Sequence, residues 1–144
     1  MFNTKKNLIF FIPIIIILFS CLASADIYIK DYKTNRRTYI FDGKYIKTYF
    51  NNKRLYKIDK QYIVKYSNNR RIYKYDGTYL IDYATNKRIL EFRNNYVLDY
   101  KTKLRLLEFS GFYVKDYKTN LKIIEYTGIM PKVIVTLITL KMLQ

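Results

Sequence analysis

The residue types that usually carry chemistry are scarce in this chain. Histidine is absent, and the only cysteine is Cys21. Zinc sites and Cys–His nucleophiles therefore lack ligands and a base. Ser67 and Ser110 have no histidine to activate them. Carboxylates remain, at Asp31, Asp82, Asp99 and Asp116 and at Glu91, Glu108 and Glu125. Paired carboxylates can run glycoside hydrolysis, yet each of these recurs at a fixed interval along the chain. A position repeated in that way marks a structural role, not a unique catalytic centre. No glycine-rich phosphate loop or metal-loop spacing occurs either. The expectation is a protein that is not an enzyme and uses no cofactor.

The interval is the organising feature. A 17-residue unit is written six times without insertion or deletion, as 27–43, 44–60, 61–77, 78–94, 95–111 and 112–128. A fixed period of this size signals a repeat architecture. Position 2 is always tyrosine (Tyr28, Tyr45, Tyr62, Tyr79, Tyr96, Tyr113), and so is position 6 (Tyr32, Tyr49, Tyr66, Tyr83, Tyr100, Tyr117). Position 11 is always basic: Arg37, Arg54, Arg71, Arg88, Arg105 and Lys122. All four glycines stand at position 17, and both prolines, Pro13 and Pro131, lie outside the array.

Within each unit, positions 2–6 and 11–15 are rich in Tyr, Ile, Val and Phe with a period near two, which predicts strands. Turn residues separate them, such as Lys33-Thr34-Asn35-Arg36 and Asp42-Gly43. The unit reads as a β-hairpin. The fold class is all-β, a meander of about twelve short antiparallel strands closed or coiled into a roll or solenoid. A two-residue turn at Thr34-Asn35 would place Tyr28 opposite Phe41 and Tyr32 opposite Arg37. Positions 2, 4, 6, 11, 13 and 15 would then share one face. A membrane barrel needs strands of about 9–11 residues, longer than these units allow.

The ends break the pattern. Residues 1–25 carry Lys5 and Lys6, an apolar run from Leu8 to Leu18, and Ala23-Ser24-Ala25, the order of a secretory signal. Release before Asp26 predicts a secreted or periplasmic protein. Leu18-Phe19-Ser20-Cys21 offers the alternative of lipidation at Cys21 and a membrane-anchored lipoprotein. Residues 26–128 form the repeat domain, and residues 129–144 an apolar C-terminal tail. In that tail Val133-Ile134-Val135-Thr136-Leu137-Ile138 reads as a β-prone segment that caps the array or mediates self-association through Val133–Ile138. A frameshift in a longer repeat gene would also produce such a departure.

The hairpin unit, as in Tyr62-Ile63-Val64-Lys65-Tyr66 through Tyr75-Asp76-Gly77, resembles bacterial short β-hairpin repeats of the β-flower and choline-binding types. The resemblance implies an exported array of hairpins. Choline recognition is not carried over, because the chain has no tryptophan to build an aromatic cage.

Charge gives the functional expectation. The net charge is +16, which favours anionic partners: an acidic glycan, a phosphate-bearing cell surface or nucleic acid. The excess is greatest in the second and third units, at +5 and +3, and falls to +1 in each of the last three. Position 13 changes in parallel from Tyr39, Tyr56 and Tyr73 to Leu90, Leu107 and Ile124. Basic and aromatic residues together point to a ligand surface around Arg36, Arg37, Lys53, Arg54, Arg70 and Arg71. The same lysines also suit a solvated sheet edge protected against aggregation. A structural, self-assembling envelope protein is the second expectation.

Overall fold

The computed structural model describes residues 26–143. The leader, the cleavage site and Cys21 lie outside the described residues. Each repeat supplies a leading and a returning strand. The leading strands are β1 (Ile27–Asp31), β3 (Tyr45–Thr48), β5 (Tyr62–Lys65), β7 (Tyr79–Asp82), β9 (Tyr96–Asp99) and β11 (Tyr113–Asp116). The returning strands are β2 (Arg36–Phe41), β4 (Arg54–Asp59), β6 (Arg70–Tyr75), β8 (Arg88–Arg93), β10 (Arg105–Ser110) and β12 (Lys122–Tyr126). All neighbours pair antiparallel, and β1 also pairs β12, so the sheet is a closed barrel and not an open solenoid.

Backbone chirality explains the two turns of every unit. Position 9 takes the left-handed region each time: Asn35, Asn52, Asn69, Asn86, Lys103 and Asn120, at φ 53–60°. Position 17 does the same at Gly43, Gly77, Gly111 and Gly128, and also at Lys60 and Asn94. Asparagine and glycine reach that region at little cost, lysine at more. The position 9 turns form one rim of the barrel and the position 17 turns the other.

The register differs from the two-residue-turn expectation. Residues 32–35 form a longer turn, and Tyr28 faces Ile40, Ile29 faces Tyr39 and Lys30 faces Arg37. A β-bulge falls at position 12, between Arg37 and Tyr39, and equivalent shifts recur in all six hairpins. The extra residue reverses the phase of the returning strand. Position 11 therefore points out while positions 13 and 15 point in, and the expected common face does not exist. Positions 3, 13 and 15 line the lumen. Ile29, Ile46, Ile63, Leu80, Val97 and Val114 at position 3 are at most 2 % exposed.

Closure uses the same joint six times. Within the array β2 meets β3 as Tyr39–Thr48, Ile40–Lys47 and Phe41–Ile46. At the seam β12 meets β1 as Ile124–Asp31, Glu125–Lys30 and Tyr126–Ile29, position for position the same register. The amide of Tyr32 donates to Ile123 O at 2.8 Å, as Tyr49 does to Thr38 O at 2.9 Å. The seam is one more repeat boundary.

The tail corrects the β-prone expectation. Lys132–Thr139 is a helix, α1, with Val133–Ile138 buried among the lumen side chains. A closed barrel leaves no free strand edge in its lumen, so a buried segment must satisfy its own backbone groups, and a helix does. Burial on all sides agrees with its apolar sequence. Pro131 supplies no side-chain cap, and no charge complements either end. Eight residues without caps would not be helical alone, so the lumen makes this helix. Lys132 Nζ donates to Asn94 O at 2.7 Å at one rim, and Tyr73 Oη donates to Met142 O at 3.2 Å further along. Self-association through Val133–Ile138 would require the plug to leave the barrel. The tail's departure from the repeat thus has a structural role.

Candidate ligand-binding surface

The outer wall carries a ring of cations between tyrosines. Each position 11 cation lies over the position 2 tyrosine of its own unit and near the position 6 tyrosine of the next. Arg54 is 4.4 Å from the Tyr45 ring centroid and 5.7 Å from that of Tyr66. Arg71 is 4.1 Å from Tyr62 and 5.8 Å from Tyr83. Arg37, Arg88 and Arg105 repeat the arrangement. Lys122 completes it across the seam, 3.9 Å from Tyr113 and 5.2 Å from Tyr32. The two tyrosines of each set meet edge to face at 5.5–6.0 Å. Tyr32 and Arg37 thus share the outer face but are not partners. The bulge moves the true partner one hairpin along.

Hydrogen bonds tighten the ring. Arg54, Arg88 and Arg105 Nη1 donate to the hydroxyls of Tyr66, Tyr100 and Tyr117 at 3.0–3.4 Å. Hydrogen bonds to Tyr66, Tyr83 and Tyr100 push the guanidinium pKa values of Arg54, Arg71 and Arg88 further up, so these groups stay charged. Exposed cation–π contacts contribute about 0.5–1 kcal/mol each. The position 11 residues of the predicted site, Arg37, Arg54 and Arg71, therefore also hold the wall together.

The rim holds the rest. Arg36 and Arg70 open β2 and β6, Lys53 immediately precedes β4, each stands beside one of those arginines, and all six side chains are exposed. The fold gathers the six predicted residues onto three consecutive hairpin tips at one rim. Carboxylates at the tips decide the local charge. Asp31, Asp82, Asp99 and Asp116 each accept from the backbone amide and hydroxyl of a threonine three residues on, at 2.7–2.8 Å. These bonds hold all four carboxyls below the usual aspartate range. The second and third units have Thr48 and Lys65 at this position. There Asn51 and Asn68 replace the cap, their Oδ1 atoms accepting from the Lys53 and Arg70 amides at 3.2 and 3.1 Å. The turns are kept and the negative charge is removed. This exchange at position 5 was visible as a gap in the aspartate series and is the signal that the charge count alone missed.

The opposite side of the barrel pairs its charges. Lys30 and Glu125 bridge the seam at 2.6 Å, and Glu108 faces Lys115 across β10 and β11. Glu91 contacts Arg93 at 2.5 Å and Lys103 at 2.8 Å. Its carboxyl is held low, first by the Lys103 hydrogen bond and then by that of Arg93. These two side chains cover Glu91, which stays near the surface. Beside the seam a cavity of about 410 Å³ opens next to Thr38, where five other units carry Leu or Ile at position 12. Among the described residues no group of three His, Cys, Asp or Glu side chains is placed to hold a metal ion, and no helix is long and apolar enough to cross a membrane.

No protein-family model matches the chain, and neither a curated protein nor a solved structure is similar to it.

Proposed function

We propose that the protein is an exported, non-catalytic binding module that holds an anionic polymer or glycan on its first three hairpin tips. The observation that carries this reading is the exchange of the rim aspartate for neutral asparagine caps in units two and three, next to Arg36, Arg37, Lys53, Arg54, Arg70 and Arg71. A turn needs a hydrogen-bond acceptor, and asparagine supplies one without charge. On the second and third tips the exchange leaves cations with no carboxylate from their own turns, while Asp31 remains as the cap of the first. These cations attract polyanions over several ångströms and focus them along the rim. The tyrosine rings beside it, about two-fifths exposed at Tyr49, Tyr66 and Tyr83, offer flat faces and edges to sugars or bases. The outward charge and apolar lumen are the reverse of the distribution in a membrane channel.

The test is a titration of the purified full-chain protein with an anionic glycan and with a phosphate polymer at several salt concentrations. Affinity should fall steeply and linearly on a log–log plot, as counterion release requires. Binding that ignores salt overturns the electrostatic reading.

A further inference from the structure

The rim arc is not uniform, and a recess lies between the third and fourth hairpin tips. Two adjoining cavities of about 630 and 140 Å³ share Arg70, Arg71 and Ala84 as lining. The larger adds Asn69 and Tyr83, and the smaller adds Ile72, Tyr73 and Asp82. The recess follows from one departure in the repeat. Position 7, next to the ladder tyrosine, is Ala84 here and Lys33, Phe50, Ser67, Lys101 or Lys118 elsewhere. A methyl group leaves the mouth open and brings no competing cation.

We propose that this notch binds a phosphate group carried on the anionic polymer, with Arg70 and Arg71 as its two forks and Tyr83 at its side. This rests on the rim reading above and specifies its chemistry. The Arg71 guanidinium is already oriented by Tyr62, 4.1 Å from its ring centroid, so little of its freedom is lost on binding. Among the described residues Arg70 enters no aromatic stack, and it meets the ligand as the second fork. A phosphate presents its oxygens as a tetrahedron, so two forks can approach from different sides, whereas a carboxylate holds its two oxygens in one plane. Lys65, opposite Arg70 across β5 and β6, adds positive charge. Asp82 opposes an anion but lines only the inner, smaller cavity, and its Oδ1 is taken by the Thr85 amide and hydroxyl at 2.8 and 2.7 Å. The phosphate therefore sits in the outer cavity, against Asn69, Arg70, Arg71 and Tyr83.

The experiment uses the full-chain protein with inorganic phosphate and with a poly(glycerol phosphate) as probes. Inorganic phosphate should move the side-chain NMR signals of Arg70 and Arg71 but not those of Arg36. Ala84→Glu places a carboxylate in the mouth without touching the ladder and should weaken polymer binding about tenfold. Arg71→Lys keeps a cation between the rings, as Lys122 does naturally in the sixth unit, but loses the fork. It should weaken polymer binding about fivefold while the barrel still folds, with only a small loss of stability from the missing Tyr83 hydrogen bond. Polymer binding that stays salt-dependent and equally strong in Ala84→Glu overturns the notch while the rim reading survives. Loss of all polymer binding in the unaltered protein overturns the rim reading. Movement of the Arg70 and Arg71 signals by inorganic phosphate alone would then still support a phosphate site, and stationary signals would remove it.

Discussion

The first three hairpins and the last three share a backbone but not a surface. In the last three, Glu91, Glu108 and Glu125 stand at position 14 and meet cations on the wall, while Asp82, Asp99 and Asp116 cap the tips. In the first three, position 14 is Ile40, Lys57 and Lys74. Their cross-strand neighbours are Lys47, Val64 and Ile81, so no carboxylate faces them. The lumen differs in the same sense. Tyr39, Tyr56 and Tyr73 line one half and Leu90, Leu107 and Ile124 the other. Burial pushes the phenol pKa values of Tyr56 and Tyr73 up, so both stay neutral beside the plug. One arc has its charges neutralised by neighbours and behaves as scaffold. The other pairs Lys47 with Asp42 at 2.5 Å and Lys57 with Asp59 at 3.8 Å on its wall but leaves its rim cations facing outward, and such a cationic rim is a binding surface or a liability.

Charge reversal breaks this comparison most strongly. Lys53→Glu with Arg70→Glu changes two exposed rim cations outside the ladder and should lower affinity for an anionic polymer about a hundredfold at low salt. The matched pair Lys87→Glu with Lys101→Glu, at the tips of the other arc, should lower it about threefold. Equal losses in a binding titration would mean that net charge, not the arc, does the binding. Core truncation should show the opposite, with no difference between arcs. Ile46 and Leu80 are both 0 % exposed at position 3. Ile46→Ala and Leu80→Ala should each cost about 3 kcal/mol in urea unfolding. A gap of more than about 1 kcal/mol between them would show that the two halves are not one cooperative core.

The plug sharpens the contrast on a smaller scale. Tyr73→Phe removes the bond to Met142 O and should cost about 1 kcal/mol. Thr136 is fully buried and its Oγ1 has no hydrogen-bond partner among the described residues. Thr136→Val should therefore stabilise the barrel by about 1 kcal/mol, measured as a shift in unfolding midpoint at constant slope.

Much of this was legible in the residues, for reasons that can be stated. Tyrosine at positions 2 and 6 and the Asn and Gly turns marked the strands, because these types fit pleated faces and left-handed turns. Lys103 adopts a left-handed turn conformation that its residue type does not announce, and only the period places it. The bulge was hidden because Leu55, Ile72, Ile89, Leu106 and Ile123 at position 12 look like ordinary strand residues. The four-residue turn and the bulge together displaced every cross-strand partner. The plug was misread because Val133–Ile138 is β-prone taken alone, and its helix exists only where a closed lumen denies it a strand edge. The predicted cations were found together, but Ala84, the residue that opens the notch, carries no chemistry of its own and showed only as a departure in the repeat.

Acid should separate the two kinds of hairpin tip without unfolding either. The caps at Asp31, Asp82, Asp99 and Asp116 have carboxyl pKa values depressed in the fold. A depressed acid contributes stability that is complete above its unfolded value, about 3.9 for aspartate, and is lost as pH falls through the lower folded value. Below about pH 4 the amides of Thr34, Thr85, Thr102 and Thr119 should progressively lose protection against hydrogen exchange. The amides of Lys53 and Arg70 are bonded to the neutral Asn51 and Asn68 and have no proton to gain from their caps. Their protection factors should stay flat through the same range. Since these tips are exposed, the effect is local and the barrel should remain folded. Parallel loss at all six tips would mean that the asparagine turns depend on a carboxylate elsewhere, and the carboxylate-free pair of tips would lose its structural basis.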